Sequence, residues 1–106
     1  DKQKAISFYY KIIELNGEIS WRMWKGFIEC LMYTKNWDEL LKKSLRAKKS
    51  FPNKTFLDFI ISGCLLKSGK INEAVYFYQN GQKKSRLPKK ILKYFPEFFD
   101  NKTLLV

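Results

Sequence analysis

The chain has 106 residues, a formal net charge of +11 and no histidine. Its length fits one domain, and its 45% apolar residues exclude a chain that is disordered by composition. The lack of histidine excludes Ser-His and Cys-His catalysis and removes the commonest metal ligand of proteins. Composition therefore indicates a small basic globular protein and offers little support for an enzyme.

Apolar residues recur with the helical period along the chain, and no stretch alternates as a strand would. In chain order, helices are predicted near residues 3–15, 20–34, 37–50, 54–67 and 71–85, then a shorter one near 88–95 that Pro96 ends. Ser20 and Asn36 are predicted to cap helix starts. Gly69 fits the left-handed residue after a helix, and Pro52 and Pro88 prevent continuation. We therefore expect an all-α fold without a sheet.

Two segments of the chain repeat at an offset of 34 residues. Under this offset Leu31 aligns with Leu65, and Cys30 aligns with Cys64. A half-length copy at the front places Ala5 opposite Ala74. In the middle unit, the second predicted helix carries one apolar face: Trp37, Leu40, Leu41 and Leu45. The pattern predicts helix pairs that stack on one another.

A 34-residue unit of two helices resembles the tetratricopeptide repeat. The residues that carry the resemblance are Trp24, Ala47 and Pro52 in the middle unit, and Gly69, Ala74, Tyr78 and Gly81 in the last. Ile28 and Leu40 depart from the pattern, which has small residues there. Residues 50–53, Gly63 and residues 72–74 also look similar to multi-repeat proteins of Bacteroidetes-type bacteria.

The resemblance implies an antiparallel helix-pair solenoid with a right-handed superhelical twist. Residues 1–18 would be the second helix of an incomplete repeat, 19–52 and 53–88 two repeats, and 89–106 a C-terminal capping helix and tail. Phe95, Phe98 and Phe99 are expected to fold back on the last repeat near Val75 or Tyr78, since solenoids need capped ends. We also expect these residues to be the C-terminal end of a longer protein.

The family's geometry implies a concave surface formed by the first helix of each pair. It would carry a peptide-binding set of Arg22, Lys25, Glu29, Met32, Tyr33, Phe56, Phe59, Leu66 and Lys67. These residues suggest a groove for an extended peptide with acidic and apolar side chains. The alternative is ordinary helix surface, with Phe56 and Phe59 covered by the C-terminal segment.

The first predicted helix is too apolar for its neighbour to cover completely. Its apolar residues include Ile6, Phe8, Tyr9, Ile12 and Ile13. A helix of this kind needs cover on more than one side. We therefore expect self-association through this edge, or an exposed apolar patch there.

Basic residues crowd the second helix of the middle unit and the end of the last unit. They are Lys42, Lys43, Arg46, Lys48 and Lys49, then Lys83, Lys84, Arg86, Lys89, Lys90 and Lys93. This density implies nonspecific nucleic-acid affinity, with a solvated helix face as the alternative. Residues 68–74 also resemble the RNA-reading pentatricopeptide repeat. However, the base-reading positions of that family fall on Lys25 and Phe59, where Asn, Ser or Thr would be expected.

The two cysteines occupy equivalent positions in successive first helices. Stacked helices lie roughly 10 Å apart, whereas a disulfide needs Cα atoms within about 7 Å. Cys30 and Cys64 are therefore predicted to be free, buried thiols, which favours a reducing compartment such as the cytoplasm and leaves a bacterial envelope open. We expect no cofactor, no metal and no membrane span.

Taken together, the patterns favour a non-enzymatic protein–protein interaction or scaffolding module whose partner is another protein or a peptide. The alternative is a basic helical-repeat protein associated with RNA.

Overall fold

The computed structural model describes residues 1–100, apart from the side chain of Asn16, as seven helices joined by short connections, with no strand in that range. The helices are α1 (Lys2–Asn16), α2 (Trp21–Tyr33), α3 (Trp37–Ser50), α4 (Thr55–Lys67), α5 (Ile71–Gln82), α6 (Lys89–Tyr94) and α7 (Glu97–Asp100). The all-α expectation is confirmed for this part of the chain. None of these helices is long and apolar enough to cross a bilayer.

The predicted helix ends agree with the structure within a few residues. Ser20 Oγ accepts a hydrogen bond from the backbone amide of Met23 at 3.3 Å, as expected of a cap. Gly69 has the predicted left-handed conformation, with φ of 77°. The prediction for Asn36 is wrong, because its side-chain amide donates to Thr34 Oγ1 and caps nothing in α3. Two carboxylates in the first turn of α3 instead place negative charge at its positive end.

Two differences concern the C-terminal part of the chain. Helix α5 ends at Gln82 rather than near residue 85, and α7 follows Pro96 where no helix was predicted. Because α7 is a single turn, it is too short to leave a periodic signal in the sequence.

Helices α1 to α5 pack sequentially, each against the next, and the closest pairing joins α4 to α5. Ser62 Oγ on α4 donates a buried hydrogen bond of 2.7 Å to the carbonyl oxygen of Ala74 on α5. A Cβ at Gly81 would lie 2.9 Å from the ring of Phe59, so glycine lets this ring fill the space between the two helices. The described part of the molecule is elongated, with extents of 42 × 25 × 22 Å.

Helix α4 is the centre of the hydrophobic core. Every residue from Leu57 to Leu66 is buried, because α3, α5 and α7 all pack on this helix. By contrast, only part of the predicted apolar face of α3 is internal. Leu40 is buried, Trp37 and Leu41 are half-buried, and Leu45 is 41% exposed. Leu45 belongs to the predicted apolar face but is not internal, because its side chain lies at an opening between α3 and α5.

The C-terminal segment, residues 89–100, folds back on the helices as expected, with one correction. Phe95 and Phe98 are buried, and the Phe98 ring lies 5.8 Å from the ring of Tyr78. Phe99 is 69% exposed and covers nothing, because successive side chains on a helix point about 100° apart. The predicted tail at 101–106 lies outside the described residues.

Candidate functional site

The face of α2 and α4 that was expected to bind a peptide is crossed by the C-terminal segment of the same chain. Lys90 on α6 forms an ion pair with Glu29 on α2. The Tyr94 ring, four residues further on, lies 5.3 Å from the Tyr33 ring. Helix α6 therefore contacts α2 through both a charge pair and an aromatic pair.

Lys67 ties the other end of this segment to α4. Its Nζ donates to both carboxylate oxygens of Glu97, at 2.9 and 3.1 Å. The same Nζ lies 4.4 Å from the ring centroid of Trp37 and 5.3 Å from that of Phe95. A cation in this position interacts with both aromatic faces as well as with the carboxylate. One lysine thus joins α3, α4 and the C-terminal segment.

Phe95 is the apolar anchor of the segment. Its side chain is wholly buried, and its ring packs at 5.3 Å from that of Trp37 and at 6.1 Å from that of Phe98. Gly63 on α4 forms the floor beneath the ring, since a Cβ there would lie only 2.5 Å from ring atom Cδ1. The absence of a side chain at Gly63 therefore creates the space that Phe95 fills.

The nine predicted peptide-binding residues do not form one open groove. Met32, Phe59 and Leu66 are buried, Arg22 is exposed, and Lys25, Glu29, Tyr33, Phe56 and Lys67 are half-buried. The Phe59 ring lies 5.8 Å from the Tyr78 ring, inside the α4–α5 interface. Lys90 Nζ lies 5.8 Å from the Phe56 ring, so the C-terminal segment reaches this side chain as well. In this conformation the α2–α4 face is occupied.

Helix α1 turns part of its apolar surface inward. Ile6 and Ile13 are buried, Tyr9 and Ile12 are half-buried, and Phe8 is 59% exposed. The Tyr9 ring stacks on the Phe27 ring of α2 at 5.5 Å, which accounts for its partial burial. Of the predicted self-association edge, only Phe8 is mostly solvent-exposed in this structure.

An open channel lies between α3 and α5, and none of its lining residues belongs to the C-terminal segment. Its apolar half is lined by Leu45, Pro52, Tyr76 and Phe77, with Lys48 and Lys49 at the rim. Tyr76 is 56% exposed, and its ring meets that of Phe77 edge to face at 5.2 Å. Three apolar side chains and a proline are thus presented to solvent beside two cations.

The second half of the channel is polar and basic. It is lined by Lys48, Pro52, Asn53, Thr55, Asp58, Asn80, Lys83 and Lys84. Lys48 Nζ lies 2.7 Å from Asp58 Oδ1 and donates to the Pro52 carbonyl oxygen at 3.2 Å. Asp58 is only 4% exposed, and a buried carboxylate of this kind requires such a counter-ion. Lys48 and Pro52 line both halves, so the two halves lie next to each other.

This channel was not predicted from the sequence. Leu45 was noted only as part of a periodic apolar face, and Tyr76 and Phe77 lie off the periodic face of their helix. The sequence does contain one indication of it. Tyr76 and Phe77 are consecutive aromatic residues on a helix that already contributes Ala74 and Tyr78 to the core, so at least one of the two rings must lie outside it.

The thiols do not form a reactive centre. Both cysteines are free, as predicted, but Cys30 is half-buried rather than buried. Burial raises the pKa of Cys64 to about 12, and burial also raises the pKa of Cys30. Neutral thiols are poor nucleophiles and poor metal ligands. Among residues 1–100, no group of three or more Cys, Asp or Glu side chains is arranged to hold a metal ion.

Comparison of the chain with protein-family models, with curated proteins and with solved structures finds no match.

Proposed function

We propose that this protein is a non-enzymatic interaction or scaffolding module, built from tetratricopeptide-like helix pairs, that binds another protein through the α3–α5 channel. The observation that supports this proposal is the open apolar half of the channel, where Leu45 is 41% and Tyr76 56% exposed. Exposed apolar surface with a polar rim is typical of sites that a partner covers.

The channel is preferred to the α2–α4 face because only the channel is open. The C-terminal segment occupies the α2–α4 face with the wholly buried Phe95 and with ion pairs from Lys67 and Lys90. A partner at that face would first have to displace these contacts. A partner in the channel displaces only water.

The carboxylates of the chain support a non-enzymatic role. Glu29, Asp58 and Glu97 are each paired with a lysine. These pairs hold helices and the C-terminal segment together, which is a structural task.

Site-specific photocrosslinking tests the proposal. A photoreactive phenylalanine derivative in place of Tyr76 should form one or a few defined protein adducts in the source cells. Leu45→Glu on the same chain should abolish them, whereas Leu15→Glu, at an 83% exposed position on α1, should not. Adducts that are insensitive to Leu45→Glu, or the absence of any protein adduct, would contradict a role in protein binding at this channel.

The net charge of +11 favours a second candidate, a basic helical protein associated with RNA. Chromatography on immobilised RNA at stepped salt separates the two candidates. Retention that disappears between about 50 and 200 mM salt without sequence preference reflects charge alone. Saturable binding of one RNA sequence would replace the protein-binding proposal.

A further inference from the structure

The two halves of the α3–α5 channel differ in chemistry and follow each other along α5. Tyr76 and Phe77 line the apolar half, while Asn80, Lys83 and Lys84 line the basic half. These positions are spaced by three to four residues, so they share one side of the helix. A ligand lying along this side would meet apolar side chains first and cations next.

The basic half has positive charge that the chain itself does not balance. Lys48 is paired with Asp58, the one carboxylate that lines this half. No carboxylate within the described residues is paired with Lys83 or Lys84. This half is therefore complementary to an anionic group.

The distance between the halves sets the spacing of the ligand's groups. From position 76 to positions 83 and 84 the helix advances by seven or eight residues, or roughly 11 Å at about 1.5 Å per residue. A peptide in the extended polyproline II conformation advances about 3.1 Å per residue and has three residues per turn, so its residues i and i+3 point to the same side. An apolar side chain in the first half and a carboxylate in the second would therefore be about three residues apart.

We propose that the α3–α5 channel binds an extended acidic segment of a partner protein, with an apolar anchor between Leu45, Tyr76 and Phe77 and a carboxylate three positions away that pairs with Lys83 and Lys84. This inference rests on the proposed function and adds the chemistry of the partner. The unpaired positive charge of the basic half and the open apolar half together indicate a ligand that carries both a carboxylate and an apolar side chain. Pairing at the rim supplies register, and burial of the anchor supplies most of the affinity.

Selection from a displayed random-peptide library against the full chain tests the inference. Enriched peptides should share an apolar residue with Asp or Glu three positions away, in the same chain direction throughout the selected set. A synthetic peptide with the core Leu-Ser-Ser-Asp should bind at least about tenfold more tightly than its isomer Leu-Asp-Ser-Ser, because only the first, in the polyproline II conformation, places both side chains on one side at the spacing of the two halves. Fluorescence anisotropy at 150 mM salt measures the two affinities.

Matched double variants separate the channel from the general charge of the molecule. Lys83→Glu with Lys84→Glu should weaken binding of the selected peptide about tenfold or more, since two attractions become repulsions. Lys4→Glu with Lys11→Glu makes the same change of net charge at exposed positions on α1 and should alter affinity less than about twofold. Leu45→Ser should weaken binding about tenfold, whereas Leu15→Ser should not.

The outcomes distinguish this inference from the proposed function. The acidic-segment assignment would be overturned if the enriched peptides were apolar without an acidic residue, or if the two pairs of lysine variants lost equal affinity. In either case, photocrosslinks that depend on Leu45 would still support the channel as a protein-binding site. Failure to enrich any peptide whose binding depends on Leu45 would also overturn the acidic-segment assignment. If RNA displaced the selected peptides and bound with sequence preference, the channel would instead be a nucleic-acid surface.

Discussion

The contact between Phe95 and Gly63 provides a direct test of how the C-terminal segment is held. The Cβ introduced by Gly63→Ala would lie 2.5 Å from Cδ1 and 2.6 Å from Cγ of Phe95. Both atoms are near the base of a wholly buried ring, so they cannot move aside without moving the backbone of the segment. Gly63→Ala should therefore push Phe95 out of its place over α4.

The sign of the effect should depend on the presence of the ring. Overpacking costs about 1–3 kcal/mol, while alanine is favoured over glycine in a helix interior by about 1 kcal/mol. In the unsubstituted chain, Gly63→Ala should thus lower the free energy of unfolding by up to about 2 kcal/mol. Phe95→Ala alone should lower it by about 3–5 kcal/mol. Once that ring is absent, Gly63→Ala should raise the free energy of unfolding by about 1 kcal/mol.

Urea unfolding followed by circular dichroism measures this cycle in four chains. If Phe95→Ala is unfolded in buffer, Phe95→Leu supplies a milder background with the same expected direction. Phe99→Ala is the matched control, because that ring is 69% exposed, and Gly63→Ala should cost the same with or without it. An effect of Gly63→Ala that is equal within about 0.5 kcal/mol in the presence and absence of the Phe95 ring would refute the packing described here.

Three further predictions concern other parts of the molecule. In folded protein, iodoacetamide should modify the half-buried Cys30 before the buried Cys64, and mass spectrometry should detect no bridge between them. The pKa of Tyr10 is raised to about 12, first by burial and then by its hydrogen bond to Glu39. An unfolded tyrosine ionises near pH 10, so stability should be lost as the pH rises from about 10 through 12, and Tyr10→Phe should remove this loss in urea titrations. Sedimentation over a concentration series should show self-association that Phe8→Glu weakens without unfolding the chain, and a wild-type chain that is monomeric throughout would contradict the expected edge.

The elements of the fold were accessible from sequence because they depend on local chemistry. The helical period located five helices, and Ser20 and Gly69 marked real helix ends. The small residue that the repeat pattern has at position 81 also has a structural reason, since the Phe59 ring packs against Gly81. Each of these features depends on residues close in sequence or on a steric requirement at one position.

The covering of the α2–α4 face was harder to predict because it depends on distant residues. Lys90 and Glu29 are separated by 61 positions, and no periodicity links them. Phe95 and Phe98 were correctly expected to fold back on the last repeat, but the expected contacts were Val75, Tyr78 and their neighbours, and Phe99 stays exposed. Phe95 also packs over Gly63 and Trp37. Gly63 leaves room for the ring because it has no side chain, and Trp37 contacts the ring from the first turn of α3.

The channel was missed for a related reason. Periodicity identifies the side of a helix that is apolar, and it assigns every apolar residue near that side to the core. Leu45 satisfies the period but lines the opening between α3 and α5, so it reaches solvent. Whether such a residue is internal depends on how far the neighbouring helix extends over it, which only the packed structure defines.

The burial of α4 from Leu57 to Leu66 has a consequence for the way the molecule opens. Amide exchange with solvent requires local or global opening, and segments with few buried contacts open first. The amides of α4 should therefore exchange only when the whole chain unfolds, whereas those of α1 and the C-terminal segment should exchange through smaller fluctuations. When the C-terminal segment opens locally, the α2–α4 face would be uncovered for a brief interval while α4 itself stays folded. Local opening would thus expose a surface that is covered in the average conformation.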